Sequence, residues 1–174
     1  KTAFITGGGG YIGTQTAITL AKEGIYIAVC DISEKSVKAA VDKVNAVGGH
    51  AKGYVSDVTN SKDIEAAIQK AAEDLVGLDI LVHIAGGSAR IAGGSYVSLV
   101  EQEESVIDKV LKVNLYGAFW ASRAAAKIMI EQGRGGKIIN FASAVGINGL
   151  ANCCDYAASK GGIMSLTKAL AKEL

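Results

Sequence analysis

Short apolar runs alternate with longer amphipathic stretches from one end of this chain to the other. Residues 2–6 and 25–30 are nearly continuous in apolar side chains, the mark of strands covered on both faces. Residues 51–56, 79–84 and 137–142 read as three more strands. Between them the apolar residues recur at helical spacing, over 12–23, 33–47, 61–75, 99–113, 115–132 and from 155 to the end. Strands that alternate with helices of this length pair in parallel, and each crossover helix lies against the sheet. The expected fold is therefore α/β: a doubly wound, three-layer parallel sheet in one domain over residues 1–174, with strand order 3-2-1-4-5. A ligand belongs at the switch between strands one and four.

Local signals support these elements. Gly24 and the Gly48-Gly49 pair stop the first two helices. Ser33 is placed to cap the second, whose Val37, Ala40, Val41 and Val44 share a face. Ser61 is expected to cap the third, with Ile64, Ala67, Ile68, Ala71 and Leu75 as its apolar stripe.

Composition excludes several classes. With 18 basic and 17 acidic residues the net charge is +1, which argues against a nucleic-acid surface. No apolar run approaches the ~20 residues of a membrane span, and no signal peptide is visible. The three cysteines, Cys30, Cys153 and Cys154, have no CxxC spacing and form neither a disulfide framework nor a metal site. Reduced cysteines in a cytoplasmic protein are the expectation. Glycine is abundant, at 22 residues, and proline is absent.

Part of that glycine has a defined place. Thr6-Gly7-Gly8-Gly9-Gly10-Tyr11-Ile12-Gly13 joins strand one to helix one, where the N–H groups of a helix terminus meet a pyrophosphate. Glycines let the backbone turn tightly and approach phosphates closely. Asp31 follows 18 residues after Gly13, at the tip of strand two. A carboxylate there accepts hydrogen bonds from the adenosine ribose and repels a 2′-phosphate. No Arg or Lys stands beside it; Lys35 is the nearest. NAD is expected ahead of NADP.

Far down the chain lies a second constellation. Tyr156 and Lys160 are four residues apart, so their heads share one helix face. A free phenol titrates near ~10, and a neighbouring ammonium favours the phenolate. Tyr156 is then suited to exchange a proton with an alcohol/ketone pair. Ser143, at the carboxyl edge of strand five, is placed to donate to the same oxygen. Asn114 falls where one helical run gives way to the next.

Together these segments resemble the short-chain dehydrogenase/reductase family over nearly the whole chain. Thr6–Gly13 resembles its cofactor turn, and Asp57-Val58-Thr59 its adenine-contacting segment. His83-Ile84-Ala85-Gly86 resembles its Asn-Asn-Ala-Gly. Val113-Asn114-Leu115, Asn140-Phe141-Ala142-Ser143 and Tyr156-Ala157-Ala158-Ser159-Lys160 resemble its remaining motifs. The resemblance implies a Rossmann-type fold and hydride transfer between nicotinamide and a substrate carbon. Tyr156 would be the general acid/base and Lys160 its partner, also holding the nicotinamide ribose. Ser143 would position the substrate oxygen, and Asn114 would hold a water of the proton relay. Thr6, Gly7, Gly9, Gly10, Tyr11, Ile12, Gly13, Asp31, Ile32, Asp57, Val58, Ala85 and Gly86 would contact the cofactor, with Tyr156 and Lys160.

Three departures qualify the likeness. Gly7, Gly10 and Gly13 with Tyr11 also fit the glycine spacing of the family's extended, sugar-nucleotide-epimerase branch. His83 and Ile84 stand in place of two asparagines, and a structural role is expected for His83. The chain stops at Leu174, so the resemblance implies that later strands and a substrate lid are missing. The expected function is NAD-dependent interconversion of a secondary alcohol and a ketone. A nucleotide-sugar epimerase or dehydratase, and a non-catalytic NAD-binding protein, are the alternatives. The expected partners are a small alcohol or ketone and further copies of the chain. Those copies would pair through helices 115–132 and 155–174, which carry Phe119, Trp120, Ile128, Met129, Ile130, Ile163, Met164, Leu166 and Leu170.

Overall fold

A computed structural model describes all residues, Lys1–Leu174. β1 (Thr2–Thr6) is buried along its whole length and forms the middle of the sheet. It pairs in parallel with β2 (Tyr26–Asp31) on one side and β4 (Ile80–His83) on the other. β3 (Ala51–Val55) adds beyond β2, and β5 (Lys137–Asn140) beyond β4. The order is β3-β2-β1-β4-β5, as the alternation predicts.

Side chains of successive strand residues point to opposite faces, and two cores follow from this. Ala3, Ile5, Ile27, Val29 and Val82 face α1 (Tyr11–Lys22) and α2 (Glu34–Ala46), and meet Ala17, Ala21, Val37, Ala40 and Val44. Phe4, Ala28, Cys30, Tyr54 and Leu81 face the other way. They meet Ile64, Ile68 and Ala71 of α3 (Ser61–Asp74) and Ala121, Ala124, Ala125 and Ile128 of α5 (Gly117–Gln132). α7 (Cys154–Glu173) packs beside α5 through Ala118, Ile163 and Leu166.

The caps divide the expectations. Ser33 caps α2, its hydroxyl accepting from the Ser36 N–H at 3.3 Å. Ser61 does not cap α3 but begins it; Asn60 is the cap, accepting from the N–H groups of Lys62 and Asp63. An asparagine one residue earlier offers its carbonyl oxygen to the same first-turn donors. α1 and α2 close with one pattern: Gly24 and Gly48 donate back to Ala21 and Asn45, and Ile25 and Gly49 to Leu20 and Val44.

The largest difference lies between β4 and β5. The expected helix over 99–113 begins later, as α4 (Glu104–Leu111), with a 3-10 turn at Leu99–Glu101 ahead of it. No break separates it from α5. A π turn, Lys112–Tyr116, carries one helix into the next, and Asn114 lies within it. β4 and β5 are shorter than the apolar runs, because the residues past His83 and Asn140 leave the ladder to line a cleft. A short helix, α6 (Val145–Asn148), precedes α7 and has no counterpart in the sequence pattern.

No helix is long and apolar enough to cross a membrane. Of the apolar residues expected to pair helices between copies, Ile128, Met129, Ile163 and Leu166 are buried within the chain. Tyr116, Phe119 and Ile130 remain exposed on the α5 side.

Candidate active site

A cleft of about 680 Å3 opens at the carboxyl ends of β1, β2, β3, β4 and β5. One end is made mostly of backbone. Gly7 has a positive φ of 65°, and a Cβ there would lie 2.8 Å from the Ala85 nitrogen. A Cβ on Gly13 would collide with the Gly7 carbonyl. Only glycine lets this turn close upon itself and upon the segment after β4. Gly10 caps α1 without a side-chain bond, so no side chain at the cap accepts from the N–H groups of the first turn. That is a donor set for an anion.

Asp31 sits where β2 ends. One carboxylate oxygen accepts from the Gly9 N–H at 3.1 Å, the other from the Ser33 N–H at 3.2 Å. Ile32, Asp57 and Val58 line the cleft beside it. Asp57 accepts from the N–H and hydroxyl of Thr59, which fixes the loop after β3. The only basic side chains that line the cleft are Lys109 and Lys160. A glycine turn, a helix terminus without a side-chain cap and a held carboxylate fit a dinucleotide.

At the other end side chains dominate. Lys160 is buried in the second turn of α7, and its ammonium donates to the Phe141 carbonyl at 2.7 Å. Burial pushes its pKa down to about 8. The same nitrogen lies 5.7 Å from the centroid of the Tyr156 ring. Ser143 follows β5, and its oxygen accepts from the Val145 N–H at 3.2 Å, which leaves the hydroxyl hydrogen free.

Asn114 is fully buried. Its Oδ1 accepts from the Gly87 N–H at 2.8 Å, while Nδ2 donates to the Gly87 carbonyl at 2.9 Å and to Ser159 Oγ at 2.8 Å. Ser159 in turn donates to the Tyr156 carbonyl at 2.8 Å. The amide thus clamps the loop after β4 to the helix that bears Tyr156 and Lys160. Both of its hydrogens are engaged by the protein.

The cleft brings Gly7, Gly10, Tyr11, Ile12, Asp31, Ile32, Asp57, Val58, Ala85, Gly86, Tyr156 and Lys160 together. Thr6, Gly9, Gly13, Asn114 and Ser143 stand around it without forming its lining. Thr6 Oγ1 accepts from the N–H groups of Ile84 and Ala85 at 3.2 and 3.3 Å, tying the turn to the segment after β4. Ser56, Gly87, Ile91, Lys109, Phe141 and Ala142 also line the cleft, beyond the sequence-based set. Lys109 could have been found as the i−4 neighbour of Val113 on one helix face. Ile91 belongs to a 3-10 turn, Ala89–Ala92, that carries no periodic signal. A second cavity, of about 510 Å3, lies between α5, β5 and the end of α7 and holds none of these residues.

Residues 1–174 match the family described as short chain dehydrogenase. An uncharacterized oxidoreductase of Thermotoga maritima is 37% identical over 171 residues, 98% of this chain and 64% of its own. The 3-oxoacyl-(acyl-carrier-protein) reductase FabG of the same organism is 34% identical over 174 residues, 100% of this chain and 68% of its own. A solved structure of NAD+-bound xylitol dehydrogenase superposes with a TM-score of 0.93 at 33% identity, over 99% of this chain and 64% of that one. The chain therefore spans about two thirds of the length of these relatives. Matched along its whole length in sequence and in fold, the chain belongs to the short-chain dehydrogenase/reductase family.

Proposed function

We propose that the protein interconverts a secondary alcohol and a ketone with NAD as the hydride carrier. One observation carries this reading: the buried Lys160 ammonium faces the Tyr156 ring in the same cleft that the glycine turn and Asp31 line. The first turn of α1 would hold the pyrophosphate, Asp31 the adenosine ribose, and Ile32, Asp57 and Val58 the adenine. The Asp31 carboxylate, held by two backbone N–H groups, disfavours a 2′-phosphate, so NAD is preferred to NADP. The relative solved with NAD+ supports the same choice.

When bound, the nicotinamide exchanges a hydride with the substrate carbon. The protein's part is protonic and positional. In the oxidative direction Tyr156, as the phenolate that Lys160 stabilises, takes the alcohol proton and becomes neutral; in the reductive direction it gives that proton to the substrate oxygen. One of the three ammonium hydrogens is held by the Phe141 carbonyl, which fixes the charge and leaves the others for a ribose. Ser143 donates its free hydrogen to the substrate oxygen. Asn114 holds Gly87 and α7 in register while the proton moves.

Four substrate classes make the test panel: 3-oxoacyl thioesters, sugars or polyols, steroids, and nucleotide sugars. Absorbance at the reduced-nicotinamide band is followed with each. Turnover by at least one class is expected. Calorimetric NAD binding with no turnover anywhere makes the protein a non-catalytic dinucleotide binder instead. The Gly7, Gly10, Gly13 spacing with Tyr11 keeps a nucleotide-sugar substrate in the panel, since Tyr11 is 84% exposed at the cleft.

A second copy of the chain is the proposed protein partner, seated on the α5 side, where Tyr116, Phe119 and Ile130 are exposed. Light scattering at micromolar concentration should show a dimer or tetramer.

A further inference from the structure

The helix that carries Tyr156 and Lys160 has few ties to the sheet. Its buried apolar residues, Ile163 and Leu166, pack on Ala118 with Leu115 and Leu170 beside them, and no strand residue belongs to that cluster. Of the five strands α7 rests on β5, and the cavity of about 510 Å3 opens between the two, lined by Ile138 and Leu170. Two hydrogen bonds join α7 to the end of β5, and they use consecutive residues there. Lys160 donates to the Phe141 carbonyl at 2.7 Å, and Asn140 Nδ2 donates to Thr167 Oγ1 at 3.1 Å. The first belongs to the cleft. The second lies on the far side, where Asn140 and Thr167 line the cavity.

The direction of the second bond follows from its neighbours. The Thr167 hydroxyl donates to the Ile163 carbonyl at 2.8 Å, one turn back along α7. Its hydrogen is thereby spent, so it meets Asn140 as an acceptor, and the Asn140 amide nitrogen faces it. Oδ1 is turned to α5, where Ser122 Oγ stands 3.4 Å away, a long contact. The backbone under this side chain is itself held. Asn140 lies opposite His83 in the ladder, and the next N–H, that of Phe141, donates to the His83 carbonyl at 3.0 Å. Asn140 is thus a fixed point on the sheet that reaches α7 through one side-chain bond.

We propose that Asn140 is a positioning residue. Its bond to Thr167 sets the seat of α7 on β5 and so keeps the Lys160 ammonium against the Phe141 carbonyl. Lys160 and Thr167 are seven residues apart, on one helix face and roughly 10 Å apart along the axis. One bond to β5 would leave α7 able to tilt about it, and the second removes that freedom.

The test uses three variants outside the cleft. Thr167→Val keeps the shape of the side chain and loses the acceptor, Thr167→Ser keeps the acceptor, and Asn140→Leu keeps bulk without the donor. Titration of the Lys160 ammonium, followed by NMR, reads the seat of the helix without turnover. Burial holds its pKa at about 8, so an α7 that lifts from β5 admits water and lets the value rise. The midpoint should rise above about 9 in Thr167→Val and Asn140→Leu and stay at the wild-type value in Thr167→Ser. Turnover should fall about tenfold in the first two and recover in the third. Asn140→Leu and Thr167→Val combined should lose no more than either alone, as the two ends of one bond do. An unchanged Lys160 midpoint in Thr167→Val, a Ser variant as impaired as the Val variant, or losses that add in the double variant would overturn the assignment. If Asn140→Leu does not fold, the Val and Ser variants at the half-buried Thr167 decide the matter. Only the turnover measurement rests on the oxidoreductase reading. A protein that turns over nothing breaks that reading and leaves this one to the Lys160 titration.

Discussion

The two ends of the cleft are built on different plans. The nucleotide end is backbone: glycines that pack against one another, a helix terminus without a side-chain cap, and a carboxylate held by two N–H groups. The reaction end is side chains gathered from β4, the π turn, the end of β5 and α7, and most of them are buried. The first plan uses a contiguous stretch of chain plus one acid. The second needs the whole fold to be in place before any of its parts meet. Binding and chemistry should therefore come apart under mutation.

The sharpest separation is expected from Tyr156→Phe. Losing the proton donor should cut kcat/KM about a thousandfold, within the range for a general acid/base. NAD affinity by calorimetry should stay within about threefold. A parallel loss of both would mean that the two ends are not independent.

Lys160 separates them through pH. Its pKa in the folded protein, about 8, lies below the ordinary 10.5. Between those values the unfolded chain binds more protons, so stability rises with pH across that window. Below about 8 the cost of burying the ammonium is present in full. Relative to Lys160→Met, the wild type should gain about 2 to 3 kcal/mol between pH 8 and pH 10.5, read by denaturant unfolding at each pH. A flat difference would show that the ammonium is not buried as described.

Asp31→Ala works from the other end. It should raise KM for NAD+ about tenfold and narrow the preference over NADP+ by a similar factor, with kcat nearly unchanged. The smallest effect is reserved for Asn60→Ala, which touches neither end. Loss of the α3 cap should cost about 1 kcal/mol in unfolding and leave all kinetic constants alone.

The same division explains what can be read from the sequence. Strand order, the glycine turn and Asp31 follow from local pattern, because spacing along the chain sets their spacing in space. Tyr156 and Lys160 are legible for the same reason, being one helical turn apart. The π turn at Lys112–Tyr116 is not legible, since no composition marks a single wide turn, and in the pattern Asn114 resembles a boundary between two helices. The pattern puts the α3 cap one residue late because Asn60 and Ser61 are both good caps and only the backbone chooses. His83 reads as structural, and it is buried; its contact with the Thr6 hydroxyl, 77 positions away, is not legible from local pattern.

The π turn also has a consequence for the history of such a chain. It winds one residue more than an α-helix would use over the same rise. Deleting any one of those five residues would leave a regular rod from Glu104 onward, with better hydrogen bonds taken alone. It would also turn α5 by about 100° relative to α4. α4 rests against α7, whereas α5 rests chiefly against α3 and meets α7 only at its start, so the two halves have different neighbours to satisfy. The extra residue lets one continuous helix serve both. Drift toward a more ideal helix would erase the π turn and, with it, the Asn114 clamp.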